Sequence, residues 1–291
     1  MKIAGFSFIR NAIKYDYPIL ESITSILPLV DAYYIAVGNS DDDTRKLIAS
    51  IPSNKINIID TTWDETIREG GFVLASETNK AFGSIPQEYD WAFYLQGDEI
   101  IHEDDYENIR SGMHKYLLNK KVDGLLFKYV HFFGSYKYVG TGRRWYRKEI
   151  RIIRNDKNII SWKDAQGFRF NNHQKLRVKE IDAHIYHYGW VKPPATANLK
   201  SLYFLQLHNP DFVVTPELLQ NEFDYHHIDR LSIFSGKHPV VMQERVNKQN
   251  WSFEFDTTQK GFYKMKLKHK IAHFIEDLTG YRIGEYRNYK K

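Results

Sequence analysis

The chain has 291 residues, enough for one large or two ordinary domains with a real core. Its 42% hydrophobic and 26% charged residues exclude a disordered or fibrous chain, and the absence of cysteine excludes disulfides, thiolate metal sites and a cysteine nucleophile. A net charge of +5 and a sequence pI near 9.0 favour an anionic partner such as a nucleotide, a diphosphate or an anionic membrane surface; no usual nucleic-acid-binding motif is present, so no nucleic-acid partner is expected.

In chain order, apolar runs at 3–9, 33–37, 56–59 and 91–95 read as strands. Between them lie helix-like runs at 18–27, 44–50 and 72–82, and a further helix at 106–118 precedes a strand at 124–130. This alternation implies βαβ units and a mostly parallel sheet with helices on both faces. From 124 the pattern becomes strand-rich, with 125–133, 149–154 and 176–188 separated by turns at Gly140-Thr-Gly142 and Asn171-Asn-His173, so the sheet is expected to be mixed. After Pro193-Pro194 helices are expected at 199–207, 217–223 and 262–278. The expected fold class is therefore α/β, a mostly parallel mixed sheet flanked by helices, with a helical C-terminal extension. The expected boundary, at His208-Asn-Pro-Asp211, separates residues 1–210 from a mainly helical 211–291. The N-terminus carries no signal-like apolar run, and no stretch approaches the roughly 20 apolar residues of a membrane span. A cytoplasmic protein is expected, free or peripheral on the inner face of the membrane.

The stretch Asp90-Trp-Ala-Phe-Tyr-Leu-Gln-Gly-Asp98-Glu99 reads as a buried strand that stops at two adjacent carboxylates. Open α/β sheets bind ligands outside the carboxyl ends of their strands, and carboxylates there can hold a divalent cation against a phosphate. The same acids also suit a turn leading into an acidic helix N-terminus at 100–106.

Three further segments stand in order with this one: Phe8-Ile9-Arg10-Asn11, Gly38-Asn-Ser-Asp-Asp-Asp-Thr44, and Gly70-Gly71 followed by Thr78-Asn79. Together the four make the chain resemble, over roughly residues 3 to 208, the family 2-like glycosyltransferases of the GT-A fold. The resemblance implies nucleotide-sugar contacts at Arg10 and Asn11, at Asn39 and Asp42 of the second turn, at Gly71 and Asn79 beside the diphosphate, and at Gln96 and Gly97. It implies Mn²⁺ or Mg²⁺ held by Asp98 with Glu99 and with His187 of Ile185-Tyr-His-Tyr-Gly-Trp190. It also implies Asp164, in Ser161-Trp-Lys-Asp164, as the base that deprotonates the acceptor hydroxyl in an inverting transfer. Trp162 is placed to stack on a sugar, and His184 is the rival imidazole on the opposite face of a regular strand. Three positions depart from the family pattern: Gln96 replaces the first acid of Asp-x-Asp, Gly38 an Asp that bonds the base, and Thr78 the Arg of an Arg-Asn pair. Diphosphate neutralisation then falls more heavily on metal, Arg10 or Lys80.

The implied activity is hexosyltransferase-type transfer of a sugar from a nucleotide-sugar donor to a glycan or lipid-linked acceptor, as in polysaccharide biosynthesis. Two other classes are compatible. Gln96 and Gly38 suit a non-catalytic nucleotide- or glycan-binding relative. A sugar-phosphate nucleotidylyltransferase calls for a glycine-rich basic loop after the first strand, which Arg10-Asn-Ala-Ile-Lys14 lacks. The cluster Arg143-Arg-Trp-Tyr-Arg-Lys148, near Gly140 and Gly142, reads as an anion-binding mobile loop or a solvated turn. Apolar residues at 262, 263, 267, 271, 274, 275 and 278 with a basic flank give helical spacing over 260–278, a face for the core or for an anionic membrane.

Overall fold

Strands that are apolar without alternation are buried on both faces, and the first half of the chain follows that rule. The computed structural model describes residues 1–291 except 65, 68, 69, 210 and 259–266. Its first elements are β1 (Ile3–Ile9), α1 (Ile19–Ile26), β2 (Ala32–Gly38), α2 (Thr44–Ala49), β3 (Ile56–Thr61), α3 (Phe72–Gly83) and β4 (Trp91–Tyr94). The four strands are parallel, in the order β3-β2-β1-β4. Successive residues of β4 serve opposite layers: Phe93 packs with Ile19, Ile23 and Ile26 of α1, while Ala92 and Tyr94 pack with Ala81 and Phe82 of α3.

The second half continues as β5 (Glu99–Ile101), α4 (Tyr106–Tyr116), β6 (Gly124–Phe133), β7 (Ser135–Gly140), β8 (Lys148–Arg154), β9 (Ile159–Trp162), β10 (Gly167–Phe170) and β11 (Val178–Trp190). β8 joins the parallel set antiparallel to β4 and pairs antiparallel with β6; β6 pairs parallel with β11, and β11 pairs antiparallel with β5. The remaining elements are α5 (Pro194–His208), α6 (Pro216–Leu219), β12 (Leu231–Ile233), α7 (Gln243–Asn247) and α8 (Leu267–Thr279). A mixed central sheet flanked by helices results, the α/β GT-A-like architecture expected. The C-terminal residues add to that sheet: β12 pairs with β7, and Lys290 bridges Arg177.

Three differences from the sequence reading bear on the site. The expected turn after residue 98 contains β5, a three-residue strand too short to carry periodicity. Strands β7, β9 and β10 were not expected, and β9 and β10 form a two-stranded hairpin whose turn holds Asp164. The expected helix at 217–223 is the single turn α6. Of the expected helix at 262–278, residues 262–266 lie outside the described residues.

Candidate active site

Parallel β1 and β4 are direct neighbours, with Phe6 opposite Tyr94, so the chain leaves both strands on the same edge of the sheet. A cleft of about 280 Å³ opens there. Arg10, Gln96, Gly97 and Asp98 line it from the strand ends, Asp164 from the β9–β10 turn and His187 from β11. Aromatic rings of Tyr17, Trp63, Tyr146, Trp190, Tyr203 and Phe204 form much of the remaining wall.

Asp98 is the most constrained acid in this wall. Lys200 of α5 donates from Nζ to Asp98 Oδ2 at 3.0 Å and to the Gly189 carbonyl at 2.8 Å. Both side chains are at least nine-tenths buried. Burial works to raise the Asp98 carboxyl, but the Lys200 ammonium beside it prevails and holds the group well below the usual carboxylate range. An ammonium has three donors, so one remains after Asp98 and Gly189 are served. The Lys200 ammonium also lies 4.7 Å from the Tyr17 ring centre and 5.4 Å from that of Trp190.

The other Asp98 oxygen, Oδ1, is 3.7 Å from His187 Nε2. Burial pushes His187 below its ordinary value against the pull of Asp98, and pushes His131 lower still, so both imidazoles are neutral near pH 7. His131 Nε2 lies 2.8 Å from the Tyr146 carbonyl, which only accepts; His131 therefore donates there and its Nδ1 becomes an acceptor. His187 Nδ1, 3.2 Å from that atom, must donate to it. The chain of tautomers leaves the His187 Nε2 lone pair facing Asp98 Oδ1.

One carboxylate oxygen and one imidazole lone pair fit a divalent cation that takes its other ligands from substrate phosphates and water. Among the described residues, no group of three or more His, Asp or Glu forms a metal site from protein alone. Glu99 corrects the expected ligand set. Asp98 closes the turn after β4 and faces the cleft, whereas Glu99 opens β5 and points inward. There Arg151 donates from Nη2 to Oε1 at 2.7 Å and from Nε to Oε2 at 2.8 Å, and the Tyr129 hydroxyl donates to Oε1 at 2.7 Å. Both charged side chains are fully buried, which leaves Glu99 no means of reaching a cation.

Asp164 stands between Lys163 and Ala165, both left-handed at φ 56° and 62°, a tight reversal that turns its carboxylate to the cleft. Gln96 ties this turn to β4 by donating from Nε2 to the Ala165 carbonyl at 3.2 Å. Gly71, the left-handed residue ahead of α3 at φ 73°, lies beneath the same turn, where a Cβ would stand 3.1 Å from that of Asp164. Gly38 is required because the Trp63 indole lies flat on it: a Cβ would come within 2.3 Å of the Trp63 Nε1.

Five expected donor contacts do not line the cleft: Gly71, beneath the Asp164 turn, and four others. Asn79 Oδ1 accepts from the Ser161 amide at 2.8 Å and joins α3 to β9. Asn11 is buried, and its Oδ1 accepts from the Asp41 amide at 2.7 Å. Asp42 accepts from the amides of Lys14 and Thr44. Asn39 accepts from the Trp63 amide through its side chain and from Arg10 Nε through its carbonyl, so it holds two lining residues in place. Trp162 packs against His173 and Arg169 rather than the cleft, and His184 pairs with Asp105. The basic cluster at 143–148 is largely internally paired: Arg143 with Glu276, Arg147 with Glu285 and Lys148 with Glu180. It is therefore not a free anion-binding loop.

Lys200 and His131 escaped the sequence reading. The signal for Lys200 is a lysine three residues after Ala197 and four before Phe204, on the apolar side of a helix. His131 carries no comparable local signal.

No protein-family model and no curated protein sequence matches the chain. Among solved structures it is similar to S. aureus TarS, at 14% identity over 73% of this chain and 41% of that one, with a TM-score of 0.41. It is also similar to 4-diphosphocytidyl-2C-methyl-D-erythritol synthase from Anaerococcus prevotii, at 10% identity over 66% and 89% of the two chains, TM-score 0.38. A third is glucosyl-3-phosphoglycerate synthase from Mycobacterium tuberculosis in complex with Mn²⁺, UDP and phosphoglyceric acid, at 19% identity over 45% and 43%, TM-score 0.30. The chain thus spans less than half the length of TarS and of the glucosyl-3-phosphoglycerate synthase.

Proposed function

We propose that this chain is a family 2-like glycosyltransferase that transfers a sugar from a nucleotide-sugar donor to an acceptor hydroxyl with inversion. The observation that carries the reading is one cleft, at the carboxyl ends of β1 and β4, where Asp98 with its Lys200 and His187 partners shares a wall with Asp164. The donor diphosphate lies on the Asp98 side. There Lys200 and Arg10 supply positive charge, and the third Lys200 donor reaches a phosphate oxygen as charge grows on the leaving group. Asp98 and His187 would hold a divalent cation, which when bound would supply Lewis-acid stabilisation to that same diphosphate. On the acceptor side Asp164 takes the hydroxyl proton while the oxygen attacks the anomeric carbon. The bond from that carbon to the diphosphate breaks and its electron pair leaves with the nucleotide. The aromatic wall of Trp190, Tyr203 and Phe204 suits the apolar face of a sugar ring. The acceptor in this reading is a glycan or a lipid-linked saccharide on the cytoplasmic side.

A panel of nucleotide sugars tests the reading by thermal shift with Mn²⁺ and with chelator, because a ligand of the folded state raises its apparent stability. A shift by one nucleotide series, followed by transfer that Asp164→Asn abolishes while donor binding persists, is the expected result. Absence of a shift with every donor would overturn it.

A further inference from the structure

Helix α8 is amphipathic the wrong way round for a helix packed on a core. Its buried side is polar: His273 is 7% exposed, and Glu276 pairs with Arg143 at 3.0 Å and with Arg282 at 2.7 Å. At its edge Asp277 pairs with Arg230 at 2.7 Å. The outward side carries Leu267, Ile271, Phe274 and Leu278, spaced as one stripe and exposed by 73, 53, 68 and 74%. Four large apolar side chains are therefore held in water by ion pairs on the opposite face. That arrangement is stable against the body of the protein yet leaves the stripe uncovered.

We propose that this face of α8 docks on an anionic lipid bilayer, with the helix in the plane of the headgroups. The charge pattern selects that occupant. Between residues 259 and 275 the sequence carries five lysines, at 260, 264, 266, 268 and 270, and no acid. Lipid headgroups of opposite sign complement such a run, whereas a second copy of this chain, with its net charge of +5, offers no surface field of opposite sign. The thirteen described residues of α8 are long enough to lie along the surface of a bilayer. Its anchors place it beside the cleft: Arg143 belongs to the segment that carries Tyr146 into the cleft wall, and Arg282 donates to the Trp145 carbonyl at 2.6 Å. A lipid-linked acceptor would thereby be presented on the Tyr146 side. This last clause rests on the transferase reading; the docking surface does not.

Co-sedimentation of the full chain with phosphatidylglycerol and phosphatidylcholine vesicles, against phosphatidylcholine alone, tests it. The wild type is expected to sediment with the anionic vesicles only, and to be released by salt. The double variant Phe274→Glu, Leu278→Glu is expected to lose at least about tenfold in partitioning, with unchanged Tm and unchanged nucleotide binding. Wild type that stays in the supernatant, or a double variant that partitions like wild type, would overturn the proposal. So would a wild-type dimer in analytical ultracentrifugation that the same substitutions dissolve, since a second copy would then be the occupant. Nucleotide binding without vesicle binding removes the surface and leaves the transferase reading; vesicle binding without nucleotide binding does the reverse.

Discussion

Lys200 supplies the charge that Asp98 answers, and its removal separates two roles. Lys200→Met is expected to lower kcat by about 10²-fold, the effect of deleting one fixed donor to a developing anion, and to leave Asp98 without its cation. Single-turnover kinetics with excess enzyme checks this, because a purely structural role would instead show as a fall in Tm. His131 acts through His187. His131→Phe removes the acceptor that fixes the His187 tautomer, so Mn²⁺ affinity should fall about 10- to 100-fold by calorimetry while the fold persists. Glu149 gives a pH signature unrelated to catalysis: burial pushes its carboxyl up to about 7. The folded state then binds that proton more tightly than the unfolded chain, where the group titrates near 4.3. The stabilisation is complete below about pH 4 and is lost as pH rises through about 7, a fall of about 4 kcal/mol. Urea unfolding across that range should show the slope in wild type and a flatter profile in Glu149→Gln. Neither His131 nor Glu149 stands out in the sequence, because each owes its role to burial by distant segments.

Element β5 shows why the site has its shape. Three residues pair with β11, setting Glu99 opposite His187 in register, and the Glu99–Arg151 pair clamps that strand to β8. Arg151 also donates from Nη1 to the Gln166 carbonyl at 2.8 Å, so one guanidinium braces both the acid-bearing turn after β4 and the hairpin that carries Asp164. Arg151→Met leaves Glu99 buried and unpaired and should cost about 3 to 5 kcal/mol. Chemical denaturation measures it, and the double substitution Glu99→Met, Arg151→Met should recover part of the loss. The helices of the first half were legible in advance: the one expected at 18–27 is found as α1 at Ile19–Ile26, since a full amphipathic period is a local signal. β5 and the β9–β10 hairpin were not, because three- and four-residue strands are specified by partners rather than by their own pattern.

At the scale of the whole molecule, the chain closes on itself through its last residues. The Lys290 amide donates to the Leu176 carbonyl and the Val178 amide donates to the Lys290 carbonyl, both at 2.8 Å. Tyr289 meanwhile enters the cluster formed by Phe168, Leu176 and Val178 beneath the hairpin. Tyr289→Ala should therefore cost about 3 kcal/mol and loosen the turn at Asp164, read as a lower Tm with weakened transfer. Among the described residues no helix is long and apolar enough to cross a membrane.

By itself the sequence determined the alternation of strand and helix through the first half, the end of β4 as the place where acids gather, and the glycines at its turns. Hydrophobic period and turn chemistry act over a few residues and are written locally. Only the tertiary structure decided which of two adjacent acids faces the cleft and which is locked to Arg151. It alone placed Lys200 on Asp98 across 102 residues of sequence and turned α8 apolar side outward. Each of these depends on which distant group excludes water from a charge, and no window of sequence contains both partners.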